Sequence, residues 1–212
     1  MMRIHRTSHS GFSLLELLVS IAIMGVVTTL GVSAFSKMTT QWLETKTMTE
    51  LENNVETVFE SVGKDLADTL SAEVSGHSIV GEDREWINPK EHNPFEYKDD
   101  RMVIPVQGVK DGVDIAVAVQ YAIVRNAETT SLKRSTAPLG SDKWLNPLDL
   151  IAGVDTLSFD IEYATDNVES PWVKAWTAST LPKAVRVGIV VADRDNAYYQ
   201  VSRKAVYTIA VQ

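Results

Sequence analysis

Apolar residues are distributed very unevenly along this chain. From Phe12 to Phe35 it reads FSLLELLVSIAIMGVVTTLGVSAF, 24 residues whose single charge is Glu16. As a helix this run is about 36 Å long at ~1.5 Å per residue, enough to cross a hydrocarbon core of about 30 Å. Beyond it Met38, Trp42, Met48, Leu51, Val55, Val58, Phe59, Val62, Leu66 and Leu70 recur at mostly three- and four-residue steps, with Glu44, Lys46, Glu50, Glu52, Glu56, Lys64 and Asp65 between them. That spacing predicts an amphipathic helix over 37–70, continuous with the apolar run, whose stripe packs on a sheet. Between Ser71 and Pro105 the period dissolves among Gly76, Gly81, Pro89 and Pro94, which predicts loops with at most short strands. From Asp114 onward the period becomes strand-like, in Ile115–Val124, Val154–Tyr163, Ala184–Ala192 and Tyr198–Gln212, with a hairpin turn at Asp193–Ala197. A helix followed by strands gives the α+β class, a long N-terminal helix packed on an antiparallel sheet.

The residues before the apolar run decide its orientation. Arg3 and Arg6 stand there with His5 and His9, and no acid precedes Glu16. By the positive-inside rule the first eleven residues stay in the cytoplasm and everything beyond Lys37 faces outward. Net charge is −8, or −10 without residues 1–11. So acidic a surface argues against nucleic-acid binding, which needs cations to neutralise phosphates. The absence of cysteine excludes a disulfide framework, a thiolate nucleophile and a cysteine-based zinc site.

Three readings compete for residues 12–35. A buried core helix leaves the basic, acid-free leader unexplained, and the run is long for one. A secretory signal finds small residues before a cleavage point in Val32 and Ala34. It has no use for Glu16, whose desolvation costs about 2.5–3.5 kcal/mol at mid-membrane and less toward the edge. The third reading gives Glu16 a role. Gly11, Phe12, Ser13, Leu14, Leu15 and Glu16, followed by LLVSIAIMGVV, closely resemble the type IV prepilin motif. The resemblance implies cleavage by a prepilin peptidase between Gly11 and Phe12, N-methylation of Phe12, and an assembly role for Glu16 as the fifth residue of the mature chain.

Elementary electrostatics points the same way. Cutting before Phe12 creates an ammonium group at a helix N-terminus, and Glu16 is the only anion within the span. Two pairings are open: Glu16 folds back on its own amine one turn away, or it meets the amine of a neighbouring subunit and reports axial register. Gly25 and Gly31, six residues apart, lack the four-residue spacing of a close helix-packing motif and read as local softening points. Thr28 and Thr29 are placed to return hydrogen bonds to helix carbonyls.

The second half is similar to the J-type minor pseudopilins of type II secretion. The similarity rests on Val119, Tyr121 and Leu132–Arg134, then Leu150, Gly153, Val154 and Phe159, then Trp172, Trp176, Leu181, Pro182, Ala184 and Val185. It implies a leader at 1–11, a transmembrane helix at 12–36 and a periplasmic pseudopilin domain at 37–212. The implied protein is a structural subunit of a pseudopilus tip, single-pass in the inner membrane. Its implied partners are the prepilin peptidase, I- and K-type minor pseudopilins, the major pseudopilin and the inner-membrane assembly platform. A minor pilin of a type IV pilus is the nearest alternative.

An enzyme is the alternative from another class, a tethered or secreted hydrolase with an ordinary signal peptide. Beyond the leader only His77 and His92 remain, without a serine elbow or a helix-spaced metal partner. Asp193 and Asp195 suit a turn, and Glu82 with Asp83 suits a polar loop. The sequence therefore predicts no catalytic residue or cofactor and assigns no metal site, while calcium binding at these carboxylates, without EF-hand spacing, stays open. Trp172 and Trp176 read equally as a partner-binding patch or as closure of the sheet core.

Overall fold

A computed structural model describes residues 13–87, 96–110, 112–126, 129–166 and 171–209. Helix α1 (Leu14–Ala67) is built from a long apolar run and then a mixed one, with no proline to break either. The chain divides into two compact units, Met1–Lys46 and Thr47–Gln212. In the first unit every described residue is exposed, including Leu30, Phe35, Met38 and Trp42. In the second unit α1 buries Leu51, Val55, Val58, Val62 and Leu66, at steps of four and three residues on one face. The helix stops at Ala67 rather than running to residue 70. Leu70 N–H instead donates to Pro105 O (2.9 Å), and Gln107 N–H donates to Asp68 O (3.2 Å), so the chain leaves the helix by pairing with a strand.

A short helix, α2 (Ala72–Ser75), precedes eleven strands: β1 (Val80–Glu82), β2 (Glu85–Ile87), β3 (Glu96–Lys98), β4 (Arg101–Lys110), β5 (Val113–Arg125), β6 (Thr130–Pro138), β7 (Leu145–Asp149), β8 (Val154–Ala164), β9 (Trp172–Val173), β10 (Ala184–Asp193) and β11 (Gln200–Thr208). They form a five-stranded sheet ordered β1-β4-β5-β6-β7, a four-stranded sheet ordered β11-β10-β8-β9, and the ribbon β2-β3. Every strand pairing is antiparallel. The fold is therefore α+β as the sequence predicts, with the strands shared between two main sheets. Both turn an alternating apolar face to one core, where Val119, Tyr121, Phe159, Ile161, Val185 and Val187 are fully buried.

Two expectations need correction. The stretch from Ser71 to Pro105 holds the expected short strands β1–β3 but also the start of a long one, the ten-residue β4, which begins at Arg101 and buries Met102 and Ile104. Pro105 hid this strand, since proline has no N–H for a ladder. Here Pro105 O faces the side on which Leu70 bonds, beyond the end of β1, so no ladder donor is lost to β5. The apolar stripe of the helix is also shorter than its period suggests: Met38 and Trp42 are exposed, and packing begins at Met48.

Candidate functional site

At the N-terminus of α1 the side chain of Ser13 accepts a hydrogen bond from Glu16 N–H (3.2 Å), and Glu16 Oε2 accepts one from Ser13 N–H (3.0 Å). This is a capping box: two helix-end donors are satisfied reciprocally by a serine and a glutamate three residues apart. The signal for it in the sequence is the serine–glutamate spacing of Ser13-Leu14-Leu15-Glu16. Gly11 and Phe12 lie outside the described residues. Farther along, Thr28 Oγ1 donates to Met24 O (2.7 Å) and Thr29 Oγ1 to Gly25 O (2.8 Å), as expected. Around Gly25 and Gly31 nothing lies within 4 Å of an added Cβ, so neither serves a close contact within the chain.

The second unit is locked to its helix by a buried charge. Asp65, 5% exposed, projects from α1 toward the five-stranded sheet. Arg134 on β6 binds it through two hydrogen bonds, Nε and Nη2 each 2.8 Å from a carboxylate oxygen. Tyr121 on β5, opposite Arg134 in the ladder, donates its hydroxyl to the same carboxylate and lies 3.1 Å from Ser61 Oγ. Burial pushes the Tyr121 phenol well above its ordinary range, reinforced by Asp65, so it is a permanent donor. The bonds to Asp65 hold the Arg134 guanidinium above its usual range. The sequence placed Tyr121 and Arg134 in the J-type pattern without showing that they meet.

Asp100, between β3 and β4, is a second buried carboxylate. Its oxygens accept Arg84 N–H (3.0 Å) and Ile161 N–H (2.7 Å), which ties β8 to the loop after β1. Burial outweighs those bonds and raises its pKa to about 6. On the outer face of the four-stranded sheet Asp160 receives Lys174 (2.7 Å) and Lys204 (3.3 Å), while Glu162 receives Arg186 (2.7 Å) and Lys174 (3.1 Å). Burial opposes ionisation of both carboxylates, but these cations outweigh it and hold both below the usual range.

The two tryptophans have separate surroundings. Trp176 packs on the core beside Tyr163 at 6.1 Å, and its backbone exchanges hydrogen bonds of 2.8 and 3.0 Å with Gly81, which joins the edge of one sheet to the other. Trp172 lies under the Arg186 guanidinium at 4.0 Å, half-buried. His77 is exposed with Nδ1 3.0 Å from Ser75 O, and His92 lies outside the described residues. Asp193 Oδ1 accepts the N–H groups of Asp195 (3.0 Å) and Asn196 (2.7 Å), the turn role the sequence suggests.

Residues 6–32 match the family model described as the prokaryotic N-terminal methylation motif. The chain carries a prepilin-type N-terminus. The matched span includes Gly11, Phe12 and Glu16, and it opens the one described helix long and apolar enough to cross a membrane, with a mean hydropathy of 2.2 over its most apolar window. Among solved structures the chain is similar to a type IV-like pilin from Thermus thermophilus, at 10% identity and a TM-score of 0.46, over 76% of this chain and 95% of that one. It has no significant match among curated proteins.

Proposed function

We propose that this protein is a pilin-type filament subunit, and specifically a J-type minor pseudopilin at the tip of a type II secretion pseudopilus. The observation that carries the reading is the junction of a methylation motif at residues 6–32 with a helix whose first 33 residues, 14–46, are all exposed. So much apolar surface needs a cover, which lipid supplies before assembly and neighbouring helices supply after it. In this reading residues 1–11 are a leader, residues 12–36 span the inner membrane, and residues 37–212 stand in the periplasm. The prepilin peptidase cuts after Gly11, Phe12 is methylated, and Glu16 pairs with the amine of a neighbouring subunit. An assembly platform then extends the filament, with I- and K-type minor pseudopilins and the major pseudopilin as neighbours. The role is structural, and the buried charges described above hold the fold together.

Mass spectrometry of the mature N-terminus tests the first step: N-methyl-Phe12 is expected, whereas a start at Phe35 overturns the pilin reading in favour of an ordinary signal peptide. Co-purification tests the subtype. Recovery with other minor pseudopilins supports it, and recovery with pilus components instead assigns the protein to a type IV pilus.

A further inference from the structure

β11 ends the four-stranded sheet and pairs along Gln200–Thr208 with β10 alone among the described strands. Its hydrogen-bond phase is set at both ends: Asp193 N–H donates to Tyr199 O (2.9 Å) and Ile209 N–H to Lys183 O (3.0 Å). Antiparallel bonding alternates, so the odd-numbered residues of β11 bond to β10. Ser202, Lys204, Val206 and Thr208 therefore turn their backbone N–H and C=O groups to the open edge. The open backbone groups of these alternate residues in a nine-residue edge strand, with Val206 57% exposed, form a template for strand pairing.

α1 runs beside this edge in the same direction. Arg203 bonds Glu52 (2.8 Å) near one end of the contact, and Tyr207 Oη donates to Phe59 O (2.8 Å) near the other. Between them lies a groove of about 700 Å³ whose helix wall carries Glu52, Glu56 and Glu60, one turn apart. Glu52 is engaged by Arg203, whereas Glu56 and Glu60 have no ion pair among the described residues. Like charges four residues apart destabilise a helix, so the ridge brings α1 no local benefit. Four helical residues rise about 6 Å and two strand residues about 6.7 Å, so alternate side chains of an extended segment keep step with these carboxylates.

We propose that the β11 edge and the Glu56–Glu60 ridge dock an extended segment of another protein, added as a fifth strand, with Lys or Arg at alternate positions. Such a strand turns every second side chain toward α1, as Arg203 and Tyr207 already do. Among the described residues a second copy offers no such segment: its sheet ends β1, β7 and β9 contain no Lys or Arg, β1 is already paired with Trp176, and neither β11, with Arg203 and Lys204 adjacent, nor the ribbon β2-β3, with Lys98 alone, carries cations at alternate positions.

The test uses the full chain in detergent micelles and a labelled, blocked heptapeptide, Thr-Lys-Val-Lys-Val-Lys-Thr, followed by fluorescence anisotropy and amide hydrogen exchange. Binding is expected to slow exchange at Lys204 and Val206, and to weaken at least tenfold in the double variant Glu56→Gln/Glu60→Gln. Val206→Pro is expected to abolish binding without unfolding the sheet, because the N–H it removes points away from β10. The same peptide with every backbone nitrogen methylated keeps its charge but cannot pair as a strand. Equal binding by that peptide means charge adhesion only and overturns the proposal. So does protection of β11 by self-association of the protein without peptide. The result is independent of leader processing, so this proposal and the filament reading fail separately.

Discussion

Gly81 and Tyr163 occupy each other's space: a Cβ added to Gly81 falls within the ring and hydroxyl of Tyr163. Gly81 has no positive φ, so its requirement here is one of packing. Tyr163 is fully buried and its hydroxyl has no hydrogen-bond partner among the described residues. Gly81→Ala is therefore expected to cost about 2–3 kcal/mol, because a rigid ring in the core must move. Tyr163→Phe is expected to stabilise the protein by about 1 kcal/mol, since it removes a buried polar atom that gains nothing from the fold. Thermal unfolding of both variants checks the pair, and a destabilised Tyr163→Phe counts against the packing described.

The Asp65 cluster gives a second expectation. Asp65→Ala leaves the Arg134 guanidinium without its carboxylate and Tyr121 with only Ser61 beside its hydroxyl, and is expected to cost about 3 kcal/mol. Asp65→Ala combined with Arg134→Leu and Tyr121→Phe is expected to recover a large part of that loss, because the uncompensated polar groups leave together. Denaturant midpoints of the single and triple variants measure both quantities.

Asp100 sets a pH dependence. Its folded pKa of about 6 exceeds the ordinary 3.8, so the folded state holds the proton more tightly than the unfolded chain does. The stability that follows is fully present below pH 3.8 and is lost as pH rises through about 6. Asp160 and Glu162 act oppositely: their lowered values contribute stability above the ordinary carboxylate range, which is lost as pH falls through the folded values. Wild type is expected to gain stability relative to Asp100→Asn between pH 7 and pH 4. A carboxyl resonance of Asp100 that titrates near 3.8 contradicts this.

The capping box separates two roles of Glu16. Glu16→Gln keeps a capping partner for Ser13 but removes the charge, while Glu16→Leu removes both. If the charge pairs with a neighbour's amine, both variants should be inserted and cleaved normally, yet both should be depleted from cross-linked complexes. If capping alone matters, Glu16→Gln should assemble like wild type. Leader removal is followed by mass spectrometry, and assembly by recovery of cross-linked partners.

Much of this architecture could be read from period alone, wherever one face of an element is apolar. The stripe from Leu51 to Leu66 and the alternation in β5, β8 and β10 mark elements whose buried residues are mostly hydrophobic, Asp65, Gln120 and Thr156 apart. β6 shows no such alternation because Arg134, which binds Asp65, and Thr136 lie on the same face as the buried Leu132. β4 was obscured by a proline whose missing donor faces away from its partner. At the N-terminus, spacing and charge singled out Glu16, and its hydrogen bonds to Ser13 emerged only with the backbone in place. The resemblance at Tyr121 and Arg134 turned out to fall on a clamp between helix and sheet.

Thr28 and Thr29 end their hydroxyls on carbonyls one turn back, so the surface they present outward is largely methyl. Thr39, Thr40, Thr45 and Thr57 repeat the arrangement farther along α1. Hydropathy scales count each threonine as a polar residue that must shed water on entering lipid. In this helix the backbone already satisfies those hydroxyls, so on the proposed filament reading a move from bilayer to packed filament would leave their partners unchanged. The segment can thus exchange one apolar solvent for another without remaking a single side-chain hydrogen bond at Thr28 or Thr29.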